Sequence, residues 1–109
     1  MAVQHEGLAA GNWHRRSLVD QLANVGSEVG RMRRWHGQDL PRCERAFLRA
    51  LELLDLTIGD ARWRGRRKEL SRVRAFLCDA MLGGKEYGST LDGLDRYFLA
   101  FAVAARARR

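Results

Sequence analysis

The stretch SLVDQLANVGSEVGRMRRW, residues 17–35, decides the fold. Leu18, Leu22, Val25, Val29 and Met32 recur at alternating four- and three-residue steps, which places them on one stripe of a helix. Ser17 stands just before the stripe with Asp20 three residues on, a spacing in which a hydroxyl caps the first free N–H groups, and Gly37 follows the end. A helix with one apolar stripe has to be covered by other elements, so the segment reads as one member of a helical bundle.

Working outward, the same punctuation divides the rest of the chain. A second helix starts at Asp39, carries Pro41 in its first turn, where the missing N–H is harmless, and ends at Gly59. Its stripe is Phe47, Leu51, Leu54 and Ile58, and Ala46, Ala50, Leu53 and Leu56 widen it beyond one face. A third helix begins between Asp60 and Arg67, carries Leu70, Val73, Phe76, Leu77, Ala80 and Met81, and stops at Gly83-Gly84. After a loop over 85–88, Ser89 and Asp92 repeat the capping pattern, and Leu91, Leu94, Tyr97, Phe98, Phe101 and Ala105 carry a fourth helix into an arginine-rich tail. Nowhere do apolar and polar residues alternate as in a strand. Helices of about 18 residues are about 27 Å long, and short connections force neighbours to run antiparallel. The expected fold is all-α, an up-down-up-down four-helix bundle over 13–109 preceded by a flexible N-terminal segment over 1–12.

Length and charge narrow the function. The 109 residues make one domain, which excludes a two-domain enzyme with a cleft between halves. Lys+Arg 20 against Asp+Glu 13 leaves a formal charge of +7, which excludes an acidic disordered chain and favours polyanionic partners. No apolar run approaches the roughly 20 residues of a membrane span, and the first residues lack the pattern of a secretion signal, so a cytoplasmic protein without a membrane anchor is expected. Cys43 and Cys78 form no CxxC pair and read as reduced, unreactive thiols.

The residues that could carry chemistry are scattered. His5, His14 and His36 form no helical ligand pair, so neither metal nor cofactor is expected. A cysteine nucleophile would need His36 beside Cys43, and an inert thiol is the simpler reading. Gly83-Gly84 lacks the ending of a phosphate loop, and Glu52 and Asp55 read as the solvated side of the second helix. The protein reads as non-catalytic.

Antiparallel topology gathers charge. It brings the start of the first helix, the turn between the second and third, and the end of the fourth to one end of the bundle. Arg15, Arg16, Arg62, Arg64, Arg66, Arg67, Lys68, Arg106, Arg108 and Arg109 meet there, with Trp13 and Trp63 among them. Such a cationic end binds phosphates by releasing counterions, and interleaved indoles offer faces for unpaired bases. RNA or single-stranded DNA is the expected partner; the plainer alternative is a solvated basic surface. At the opposite end Arg31, Arg33, Arg34, Arg42 and Arg45 are diluted by Asp39, Glu44, Asp79, Glu86, Asp92 and Asp95.

Ala23, Gly26, Ser27 and Gly30 allow close approach of a second helix, from within the bundle or from a neighbouring subunit. Together with the broad apolar girth of the second helix, they make Ala23, Gly26, Gly30, Leu53 and Leu56 the candidate contact surface of a homo-oligomer.

The segments Ser17–Arg31 and Ala46–Asp60, with Tyr97-Phe98 and Ala104-Ala105-Arg106, resemble a family of small uncharacterised bacterial four-helix-bundle proteins. In size, charge and helix order the chain is also similar to the accessory variability determinant proteins of diversity-generating retroelements. That resemblance implies a basic pentameric ring that binds a reverse transcriptase and its RNA. Two functions are therefore expected: a non-catalytic oligomer binding RNA or single-stranded DNA, as an accessory to a reverse transcriptase or other nucleic-acid enzyme, or an adaptor whose basic end meets an acidic protein.

Overall fold

The computed structural model describes residues 12–108. The expectations for residues 1–11, and for Arg109, lie outside the described residues.

Among the described residues there are four α-helices: α1 (Leu18–Trp35), α2 (Leu40–Ile58), α3 (Arg67–Met81) and α4 (Leu91–Ala107). The Ser17 hydroxyl accepts from the Asp20 N–H at 3.1 Å, so the capping residue at the start of α1 is the expected one. Asp39 does the same for α2, accepting from the Arg42 N–H at 3.1 Å, with Pro41 in the first turn. Between α2 and α3 the chain takes a 3₁₀ turn, Ala61–Arg66, and a shorter one, Trp13–Arg15, precedes α1.

The start of α4 differs from expectation. Thr90, not Ser89, is its cap, accepting from the Gly93 N–H at 3.0 Å. Ser89 is turned instead to the buried carboxylate of Asp79, to which its N–H donates at 3.1 Å and its hydroxyl also bonds. Asp79 also accepts from the N–H groups of Glu86 and Tyr87, at 2.9 and 3.2 Å, and so winds the α3–α4 connection around one side chain. Burial pushes the Asp79 carboxyl up, but the N–H groups of Glu86, Ser89 and Tyr87 together with the Ser89 hydroxyl outweigh it and hold the carboxyl below its ordinary value. Gly84 is required in that connection twice over. Its φ is +74°, and a Cβ there would lie 2.6 Å from the carbonyl oxygen of Ser89.

Contacts between distant residues establish the alternating direction of the helices. Trp63 and Gln21 join the α2–α3 connection to the start of α1. Cys43 Sγ lies 3.5 Å from the carbonyl of Met32 and 3.9 Å from Met81 Sδ, which puts the start of α2 beside the ends of α1 and α3. Arg33 bonds Asp92 at 2.6 Å, tying the end of α1 to the start of α4. The bundle is up-down-up-down, with α1 packed closely against both α2 and α4, and α3 closing the remaining side.

The expected stripe of α1 is its buried face: Leu22, Val25, Val29 and Met32 are covered, together with Ala46, Ala50 and Leu54 of α2, Leu70 and Leu77 of α3, and Phe98 of α4. Burial of Cys43, reinforced by the charge of Glu44, pushes its thiol up, the opposite of what a nucleophile needs. Among the described residues no helix is long and apolar enough to cross a membrane.

Of the residues expected at a subunit contact, Gly26 and Leu53 are taken up within the bundle, while Ala23, Gly30 and Leu56 stay partly exposed. A Cβ on Gly26 would stand 2.7 Å from Phe98 Cβ, so α4 occupies the space that a neighbouring subunit would need. Ala23 lines the α1–α4 crevice with Ala102 and Ala105. Leu53 is only 3% exposed and belongs to the core, and Leu56 packs partly buried against it. Gly30 differs from Gly26, because the nearest atom to a Cβ there is Asp95 Oδ1 at an ordinary 3.6 Å. Alanine at position 30 should therefore gain about 0.5–1 kcal/mol of helix propensity. At position 26 the same gain is outweighed by overpacking of about 1–3 kcal/mol. Urea unfolding should rank Gly30→Ala above the parent and Gly26→Ala below it, and the reverse order would contradict the packing described.

Candidate nucleic-acid interface

The basic end is organised around two buried polar side chains, Gln21 and Asp60. Gln21 interrupts the apolar side of α1 and is completely covered. A buried amide has to be satisfied, and this one is. Its Nε2 donates to the carbonyl of Trp13 at 2.9 Å and to Asp60 Oδ2 at 3.2 Å, while its Oε1 accepts from Trp63 Nε1 at 2.9 Å. One side chain thus holds the 3₁₀ turn before α1, the α2–α3 connection and α1 itself.

Asp60, 4% exposed, completes the arrangement. It caps the 3₁₀ turn Ala61–Arg66 by accepting from the Arg62 N–H at 3.0 Å. Its Oδ2 also receives Arg62 Nη2 at 2.7 Å and lies 3.3 Å from His14 Nδ1. The Arg62 guanidinium holds the Asp60 carboxyl far below the usual carboxylate range, against the opposing effect of burial, with help from the Arg62 N–H, Gln21 and His14. Arg62 Nη2 donates in addition to the carbonyl of Arg16 at 2.8 Å. Arg62 therefore clamps the two basic segments, 13–16 and 61–68, side by side.

The arginines that the sequence groups together have different fates. Arg15, Arg64 and Lys68 are exposed and Arg16 is half-buried, and none has a carboxylate partner among the described residues. Arg62 is committed to Asp60 and Arg16. Arg66 bonds Glu69 at 3.1 Å on the surface. Arg67 Nε donates to the carbonyl of Ile58 at 2.9 Å and so closes the end of α2. Arg106 and Arg108 are exposed, with Arg106 lining the α1–α4 crevice beside Asp20 and Asn24.

Of the two tryptophans, Trp13 departs from the expectation and Trp63 meets it in part. Trp13 is 0% exposed and is part of the core, so it presents no face to a base. The 3₁₀ turn folds it inward because its carbonyl is the acceptor that Gln21 uses. Trp63 is half-buried, its N–H is taken by Gln21, and the Arg62 guanidinium lies over its ring at 4.4 Å. The ring face beneath Arg62 is already occupied by a cation.

No protein-family model, curated protein or solved structure matches this chain. The two resemblances given above stay at the level of residues and architecture.

The opposite end is less evenly diluted than its composition implies. Asp79 is absorbed by the α3–α4 connection, and Asp92 and Asp95 both face Arg33, at 2.6 and 3.5 Å. The arginines on the α1–α2 side are left with Glu28 and Asp39 as their ion-pair partners. Gln21 and Asp60 carried no sequence signal of function beyond a polar residue within an apolar stripe and an acid before a basic run.

Proposed function

We propose that this protein is a non-catalytic binder of RNA or single-stranded DNA, and that its basic end grips the phosphate backbone. The observation that supports this most is the Arg62 clamp, which ties the basic segment 13–16 to the basic segment 61–68 while Asp60 and Glu69, two acids of that end, are already engaged. With Trp13 in the core and Trp63 under Arg62, recognition is by charge and spacing rather than by base stacking. Service as an accessory to a reverse transcriptase or other nucleic-acid enzyme, and assembly into a homo-oligomeric ring, belong to the same proposal and rest on the resemblance alone.

The test is binding of a fluorescent single-stranded oligonucleotide over a series of salt concentrations. Affinity should fall steeply and log-linearly, by about 0.7 units of slope per phosphate contacted. A flat salt dependence, or no binding at low salt, would remove the reading and leave the adaptor with an acidic protein partner in its place. Heparin should compete less well than RNA of equal charge if the spacing of phosphates matters.

A further inference from the structure

The end of α1 and the start of α2 enclose a cleft of about 200 Å³ lined by Arg31, Trp35, Arg42, Arg45, Ala46 and Arg49. Four of those six side chains are guanidiniums, and no carboxylate lines it. The spacing produces it: 42, 45 and 49 fall on one face of α2, while 31 and 35 fall on one face of α1.

The cleft is also held in place. Glu28, buried beneath it, receives Arg31 Nη1 at 2.6 Å and Arg49 Nε at 3.3 Å, so one carboxylate orients two guanidiniums and leaves a positive charge over. Arg42 is tied to Asp39 at 3.4 Å and lies over the Trp35 ring at 4.5 Å, and Arg34 lies over the same ring at 5.0 Å. Four guanidiniums line the cleft against two carboxylates, Glu28 and Asp39, that pair with them, and an anion there would offset the charge left over. Arg45 has no carboxylate partner among the described residues and faces the same space. Guanidinium forks match the oxygens of a phosphate group in pairs, and oriented ones lose less freedom on binding.

We infer that this cleft is a phosphate-binding site, distinct from the basic end and able to take the phosphate of a nucleotide, free or within a strand. It stands independently of the proposed function, because none of its residues belongs to the end built around Asp60.

The experiment follows the tryptophan indole N–H signals by two-dimensional NMR on the full chain. The chain has three tryptophans, and Trp35→Phe identifies the signal that belongs to the cleft. Inorganic phosphate should move the Trp35 signal saturably, with Trp13 and Trp63 still, while chloride at matched ionic strength should not. A nucleoside monophosphate and a short single strand, titrated in the same way, separate a small-molecule source from a polynucleotide one. Arg45→Gln, a surface change whose spectrum also reports folding, should weaken phosphate binding by about fivefold or more. Arg33→Gln, which lies outside the cleft, should not. No saturable shift, an equal response to chloride, equal movement of all three indoles, or indifference to Arg45→Gln would each overturn the inference. Replacing Arg15, Arg16 and Arg64 should leave the phosphate titration at Trp35 unchanged even where strand binding is lost, so failure of either reading is recognisable by itself.

Discussion

Replacing Asp60 by alanine should destabilise the protein by about 3 kcal/mol, because it leaves the buried Gln21 amide facing a void where a carboxylate stood and takes away the partner of the half-exposed Arg62 guanidinium. For a domain of this size that corresponds to a fall in Tm of about 15 °C. The loss would spread along the contacts that converge on Asp60. Arg62 would lose its partner, the clamp on the carbonyl of Arg16 would loosen, and Gln21 would keep only the Trp13 carbonyl and the Trp63 indole. Asp60→Asn preserves shape but carries an amide into a ring of donors, so it should fall between alanine and the parent.

The pH dependence distinguishes this from simple loss of packing. The Asp60 carboxyl is held below its ordinary value in the folded state. Its stabilisation is therefore complete above the unfolded value of about 4 and drains away as pH falls towards the folded one. The gap in Tm between the parent and Asp60→Asn should be widest near neutrality and shrink steadily below about pH 4. Glu69, Asp79 and Asp92 are also held below their ordinary values, but they are present in both proteins and cancel in the difference. A gap that stayed constant through the acid range would mean that the charge of Asp60 is not what holds this end together.

Neutralising Arg15, Arg16 and Arg64 to glutamine should leave Tm within a few degrees of the parent while flattening the salt slope of single-strand binding by about 2 logarithmic units. The choice follows from the structure. These three side chains are not engaged by carboxylates among the described residues, whereas Arg62 holds Asp60, Arg67 closes the end of α2 and Arg66 is paired with Glu69. Substituting those instead would mix lost binding with lost stability. At moderate salt the triple variant should bind on the order of a hundredfold more weakly. The control is Arg33→Gln, whose charge is already compensated by Asp92 and Asp95 and which should change the slope little. An unchanged slope in the triple variant would place the phosphate contacts elsewhere on the surface and remove the basic end from the proposed function.

Local chemistry made most of the fold legible. The four helices, the caps at Ser17 and Asp39, the break at Gly83-Gly84 and the alternating order all follow from periodicity, short-range hydrogen bonds and connection length, which neighbouring residues carry among themselves. The cap of α4 falls one residue past the local pattern, on Thr90, because Asp79 claims Ser89 from ten residues away. The candidate site was legible only as a gathering of charges. An apolar stripe says that a face is buried but not what covers it. Sequence alone therefore left Gly26 open to either helix or subunit, and tertiary packing decided it by setting Phe98 against that position. Tertiary structure likewise decided that Trp13 is core, that Arg62 is a clamp and that Arg15, Arg16 and Arg64 are left without carboxylate partners, because each outcome depends on a partner far along the chain. A basic residue shows its charge in the sequence, but whether that charge is already compensated depends on which carboxylates the fold brings within reach.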